Sequence, residues 1–174
     1  MVKLDPIGPY SQCYWNATTV AQANRGEVVC GYLVTEHDGV LIEGIHHAVV
    51  KFPNGELIDV TQYRYGIWPE VSFIPDGSAI PSLDVPAYLD NIFVPLSHHE
   101  LIEKLAAAHH DACVAQRHRA KVLSEAGYPL VLGQAMTIDT QRLSDGGACI
   151  VAEKEAIERY QIYNNEVQAL TAKA

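Results

Sequence analysis

With 174 residues, 48% of them hydrophobic and only 19% charged, the chain is long enough for one domain with a real core and too apolar to be disordered. A formal net charge of −9 argues against a face that tracks nucleic-acid phosphates. No stretch approaches the ~20 apolar residues that span a bilayer, and the N-terminal MVKLDPIGPY lacks an apolar signal core, so a cytoplasmic chain without nucleic-acid or membrane partners is expected.

The first element is SQCYWNATTVAQANRG, residues 11–26, which reads as a helix with Ser11 as N-cap and Gly26 just past its C-terminus. Cys13, Ala17, Val20 and Asn24 share one helical face, small enough to pack closely on a sheet. Cys13 falls in the first turn, where unpaired amides and the helix dipole favour a thiolate. Four cysteines (Cys13, Cys30, Cys113, Cys149) without a CxxC pair fit reduced thiols better than a disulfide scaffold or a zinc ribbon.

EVVCGYLVTE, VLIEGIHHAVVKF and ELIDVTQY follow, separated by the turn signals Asp38-Gly39 and Asn54-Gly55. They predict an antiparallel meander of three strands. Residues 62–96 carry Pro69, Pro75, Pro81, Pro86 and Pro95, and only EVSFI and NIFVPL look like strands there, so either a long connection crossing the sheet or rimming a site, or added edge strands, are expected. At Ser97 the period changes to that of a helix. Ser97 and Glu100 match a capping box, and one helix is predicted to Gly127 with a stripe of Leu101, Leu105, Ala108, Ala112 and Ala115 or Gln116, then a second around Val122 and Leu123. YPLVLGQAMTID reads as a strand, SDGG as a break and residues 148–172 as a final helix with Ile157, Tyr160, Tyr163 and Val167 on adjoining faces. The expected fold class is α+β: a Cys-bearing helix on an antiparallel sheet, with two long C-terminal helices, as a single domain over residues 1–174.

Nucleophilic cysteine catalysis needs a thiolate, an imidazole to shuttle its proton and a group to orient the imidazole. Cys13, then His46 or His47, then Asp59 supply these on successive elements. A two-residue loop at Asn54-Gly55 would set Val50 opposite Asp59 and leave both histidines too far along the strand. A wider loop over residues 51–55 would instead put His47 directly opposite Asp59. The wider loop, with His47 as the base, is therefore predicted.

SQCYWNATTV resembles the segment around the transglutaminase nucleophile, where Gly-Gln-Cys-Trp opens a helix. HAVVKFPNGELIDVTQ is similar to that superfamily's His and Asp strands. The likeness covers residues 10–62, the catalytic core it implies, and leaves residues 63–174 as a variable substrate and helical region. It implies Cys13 as nucleophile, His47 as base, Asp59 as orienting acid and an oxyanion site at the Cys13 amide. Gln12 would add a side-chain donor there, as a glutamine does in papain-like cysteine proteases. Tyr14, Val49 and Val60 depart from the pattern. Arylamine N-acetyltransferases share the Cys, His, Asp order, but their Arg-Gly-Gly before the cysteine is missing.

The expected function is thus a cysteine-dependent hydrolase or acyltransferase acting on a peptide, protein or small amide through a thioester, with Trp15, Tyr63, Tyr65 and Trp68 as candidate walls of a substrate groove. The alternative is a transglutaminase-like module that binds or inhibits through the helix at 97–126, whose Ala-rich stripe suits close packing, including across a homodimer. The histidine pairs, and His109 with Cys113 four apart on a helix, invite a metal reading. No HExxH or CxxC accompanies them, so no cofactor or metal is expected.

Overall fold

The computed structural model describes residues 1–9, 12–62, 70–78, 88–128 and 137–172. Ser11, Tyr63, Tyr65, Trp68 and most of the strand expected at 128–139 lie outside them. The chain groups into two compact units, Met1–Thr35 with Glu43–Leu83, and Glu36–Ile42 with Asp84–Ala174.

The first unit is built on β1 (Val2–Gly8), α1 (Cys13–Asn24), β2 (Glu27–His37), β3 (Leu41–Lys51), β4 (Leu57–Thr61) and β5 (Glu70–Pro75). The strands run in the order β2-β5-β1-β4-β3, and a further β2–β3 pairing closes them into a five-stranded barrel. The expected meander is present, but the purely antiparallel sheet is not. β1, hidden in the sequence by Pro6 and by flanking polar residues, pairs parallel with β4 (Lys3 with Ile58, Leu4 with Asp59) and antiparallel with β5 (Val2 with Val71). The sheet is therefore mixed. EVSFI pairs as β5 with β2, Leu33 opposite Phe73. Gly31 permits this approach, because a Cβ there would lie 2.2 Å from the Ile74 carbonyl oxygen.

Both turn signals form turns. Asp38 and Gly39 both have positive φ, 38° and 71°, and the Val40 amide donates to His37 O at 2.8 Å, the two-residue hairpin whose twist suits paired strands. Between β3 and β4 the loop is three residues, Pro53-Asn54-Gly55, with Gly55 left-handed at φ 85° and Phe52 N donating to Glu56 O at 2.9 Å. That loop sets Val50 opposite Ile58. The register falls between the two weighed from sequence, because Gly55 takes up one extra residue as a bulge.

Helix α1 buries Tyr14, Asn16, Ala17, Val20 and Ala21. Asn24, expected on the buried face, is exposed and turns its amide back to Val20 O at 2.8 Å. The helix ends on Arg25, not Gly26, in the left-handed conformation (φ 57°), and the Gly26 amide donates to Ala21 O. Gly26 is needed for space: a Cβ there would sit 2.8 Å from the Lys51 carbonyl oxygen.

The second unit holds the tip of the β2–β3 hairpin, β6 (Ile92–Pro95), α2 (His99–Glu125) and α3 (Ala148–Thr171). Both predicted long helices are present. Val40, Leu41, Ile102, Leu105 and Val167 form one apolar cluster, with Phe93, Tyr160 and Tyr163 packed against it. Val122, Leu123, Leu143 and Cys149 form another. The capping box expected at Ser97 and Glu100 does not form. His98 occupies the N-cap position in a left-handed conformation, while Ser97 Oγ donates to Gly39 O at 3.1 Å and Glu100 pairs with Lys104. The SDGG break works as a cap for α3, since the Asp145 carboxylate accepts from the amides of Gly147 (2.9 Å) and Cys149 (2.7 Å). No helix among the described residues is long and apolar enough to cross a membrane.

Candidate active site

Cys13 is the first residue of α1, so its amide has no partner within the helix and points out at the helix N-terminus. Gln12 precedes it at the N-cap position. Gln12 O accepts from Asn16 N at 2.8 Å, and its side chain makes no capping bond. The thiol of Cys13 is half-buried, whereas Cys30, Cys113 and Cys149 are buried. Burial is the first cause that raises all three of those thiols, Cys113 to about 12 with Asp90 beside it, which makes them poor nucleophiles at neutral pH.

Adjacent strand residues point to opposite sides, and the two histidines of β3 have different partners. His47, 7% exposed, donates from Nε2 to Asp59 Oδ2 at 2.8 Å, and Asp59 is fully buried. The second carboxylate oxygen, Oδ1, accepts from the Thr61 amide at 2.9 Å. Thr61 Oγ1 in turn accepts from Asn16 Nδ2 at 3.2 Å, and the same amide group donates to Pro9 O at 2.8 Å. Asn16 lies one turn beyond Cys13, so one buried side chain ties the helix to the strand that carries Asp59.

Burial alone would push His47 down. Hydrogen bonds with Asp59 and Cys13, and the charges of both, outweigh it and raise the imidazole to about 9. The ring is therefore an imidazolium at pH 7. With Nε2 taken by Asp59, Nδ1 is the nitrogen left for the Cys13 sulfur.

His46 is the electrostatic opposite. Burial lowers it, nearby Asp76 opposes that, and the charge on His47 lowers it further, leaving it neutral. Its Nδ1 is hydrogen-bonded to the Tyr14 hydroxyl, and Tyr32 meets its ring edge-on with centroids 5.0 Å apart. Of the two histidines, only His47 thus joins Cys13 to Asp59. Trp15 is half-buried on α1. The contributions of Tyr14, Asn16 and Thr61 were not read from sequence, although Asn16 carried a signal: an amide three residues after a first-turn cysteine, on a helix otherwise built of small residues.

Compared with protein-family models, curated proteins and solved structures, the chain shows no match.

Proposed function

We propose that this protein is a cysteine-dependent acyl-transfer enzyme, a thiol hydrolase that cleaves an amide bond in a peptide, protein or small molecule. The observation that carries the reading is the His47 ring, bonded on one side to buried Asp59 and on the other to Cys13. The likeness of the Cys13, His47 and Asp59 segments to the transglutaminase superfamily supports the same assignment.

In this reading the Cys13 sulfur lies beside the His47 imidazolium and attacks in its deprotonated form, the developing charge met by the first-turn amides of α1. The sulfur attacks the carbonyl carbon, and the Cys13 amide donates to the resulting oxyanion. As the tetrahedral intermediate collapses, the carbon–nitrogen bond breaks and His47 gives its proton to the leaving amine. A thioester remains on Cys13. The neutral imidazole then takes a proton from water, whose oxygen attacks the thioester and releases the acid, restoring thiolate and imidazolium. An amine in place of water would give transfer. Asp59 keeps the ring oriented and stabilises its charge.

Iodoacetamide labelling at pH 6, followed by intact-mass measurement with acyl and peptide probes, tests the proposal. One adduct should form on Cys13, many-fold faster than on glutathione, and fall sharply in His47→Ala. A Cys13 that labels no faster than glutathione, and whose replacement by alanine leaves the native activity intact, would instead favour a binding role for the helical surface.

A further inference from the structure

Three side chains of the second unit, none of them part of the triad, converge. Asp90 lies two residues before β6, while His109 and Cys113 are one turn apart on α2, a spacing that puts them on one helix face. A carboxylate oxygen, an imidazole nitrogen and the Cys113 sulfur all lie within 4.8 Å of one another. Sγ is 3.7 Å from His109 Nδ1 and 4.0 Å from Nε2. Tetrahedral zinc, with bonds of about 2.0–2.3 Å, sets its ligand atoms roughly 3.3–3.8 Å apart, so a small contraction would bring these three onto one ion.

The surroundings hold the donors in place. The His109 ring is flanked edge-on by Phe93 and Tyr160, at centroid distances of 5.4 and 5.1 Å. Cys113 is buried against Leu89 O, 3.6 Å from Sγ. Asp90 divides its carboxylate. Oδ2 pairs with His110 Nδ1 at 3.0 Å, and Oδ1 is buried with no hydrogen-bond partner among the described residues. A buried carboxylate oxygen without a partner is costly, and a cation shared with a thiolate and an imidazole would satisfy it.

We propose that Asp90, His109 and Cys113 form a binding site for a divalent transition-metal ion, zinc by its donor set. Mixed sulfur, nitrogen and oxygen donors suit zinc and exclude magnesium and calcium, which take oxygen alone. Binding releases the Cys113 thiol proton. His110 is a positioning residue: it fixes Oδ2 and so aims Oδ1 at the metal. The site stands independently of the triad. Its sequence signal was incomplete because Asp90 comes from the proline-interrupted connection and forms no motif with the helical pair.

Titration of the chelator-treated full-length protein with Co2+ tests this. One equivalent should bind with a thiolate-to-cobalt charge-transfer band that Zn2+ bleaches. The band should persist in Cys13→Ala and vanish in Cys113→Ser. Asp90→Asn and His110→Ala change partly exposed side chains and should weaken Co2+ binding by about 10- to 100-fold with an unchanged circular dichroism spectrum. The site is refuted if no band appears, if the band is lost in Cys13→Ala and kept in Cys113→Ser, or if Asp90→Asn binds Co2+ like the wild type.

Discussion

Asp59 reaches His47 diagonally across the β3–β4 ladder. Continued from Val50 opposite Ile58, the register sets Val49 opposite Asp59 and His47 opposite Thr61, so the 2.8 Å bond from Nε2 to Oδ2 spans two positions on one face. Diagonal neighbours about 7–8 Å apart at the backbone are within reach of an imidazole and a carboxylate.

This bond sets the charge on the ring. Replacing Asp59 by asparagine keeps the shape and removes the negative partner, so His47 should titrate well below 9, as followed by its ring-proton resonances. Asp59→Ala also strands the imidazolium in a buried site and should cost about 3–5 kcal/mol in urea unfolding.

The raised His47 also makes stability depend on pH. Its value rises from 6.5 when unfolded to about 9 when folded, so its contribution is complete below pH 6.5 and is lost as pH climbs through 9. The loss is on the order of a few kcal/mol. Buried thiols also favour the neutral form in the fold and weaken it at high pH, so the difference between wild type and His47→Gln isolates the imidazole. That difference should shrink between pH 6 and pH 10.

Asn16 is the tie between helix and strand. Asn16→Ala leaves Pro9 O and Thr61 Oγ1 without their donor and should cost about 1–3 kcal/mol. A Cβ on Gly8 would lie 2.2 Å from Asn16 Cγ, so Gly8→Ala should destabilise through the same contact. In the double variant the collision is relieved, and chemical denaturation should show a loss smaller than the sum of the two.

At the other end of α1, Arg25 bears a left-handed backbone that glycine adopts without strain. Arg25→Gly should therefore stabilise the protein by roughly 1 kcal/mol, whereas Gly26→Ala forces a Cβ against Lys51 O and should lower the melting temperature.

Local signals were legible where a short stretch decides the outcome. The Asp38-Gly39 turn and the two long helices follow from residues close in sequence, and the meeting of His47 with Asp59 follows from their places on neighbouring strands. What escaped depends on partners far along the chain. Val2–Gly8 shows no strand pattern, and its pairing with β4 and β5 alone makes it one. The left-handed bulge at Gly55 lengthens the β3–β4 loop by one residue and so shifts the register. Ser97 looks like a cap, but Gly39 O claims its hydroxyl. Asp90 gains meaning only when the fold brings it to α2.

The parallel pairing of β1 with β4 joins Leu4 to Asp59 across 55 residues. The same region supplies Pro9 O to Asn16 and Gly8 O to the Gln62 amide. Contacts of such long separation carry a high loop-closure cost and form slowly. β1 must therefore wait for β4 before Cys13 and Asp59 acquire fixed positions. Reactivity at Cys13 should consequently appear in one step with barrel closure during refolding, which makes thiol labelling a direct clock for the last stage of assembly.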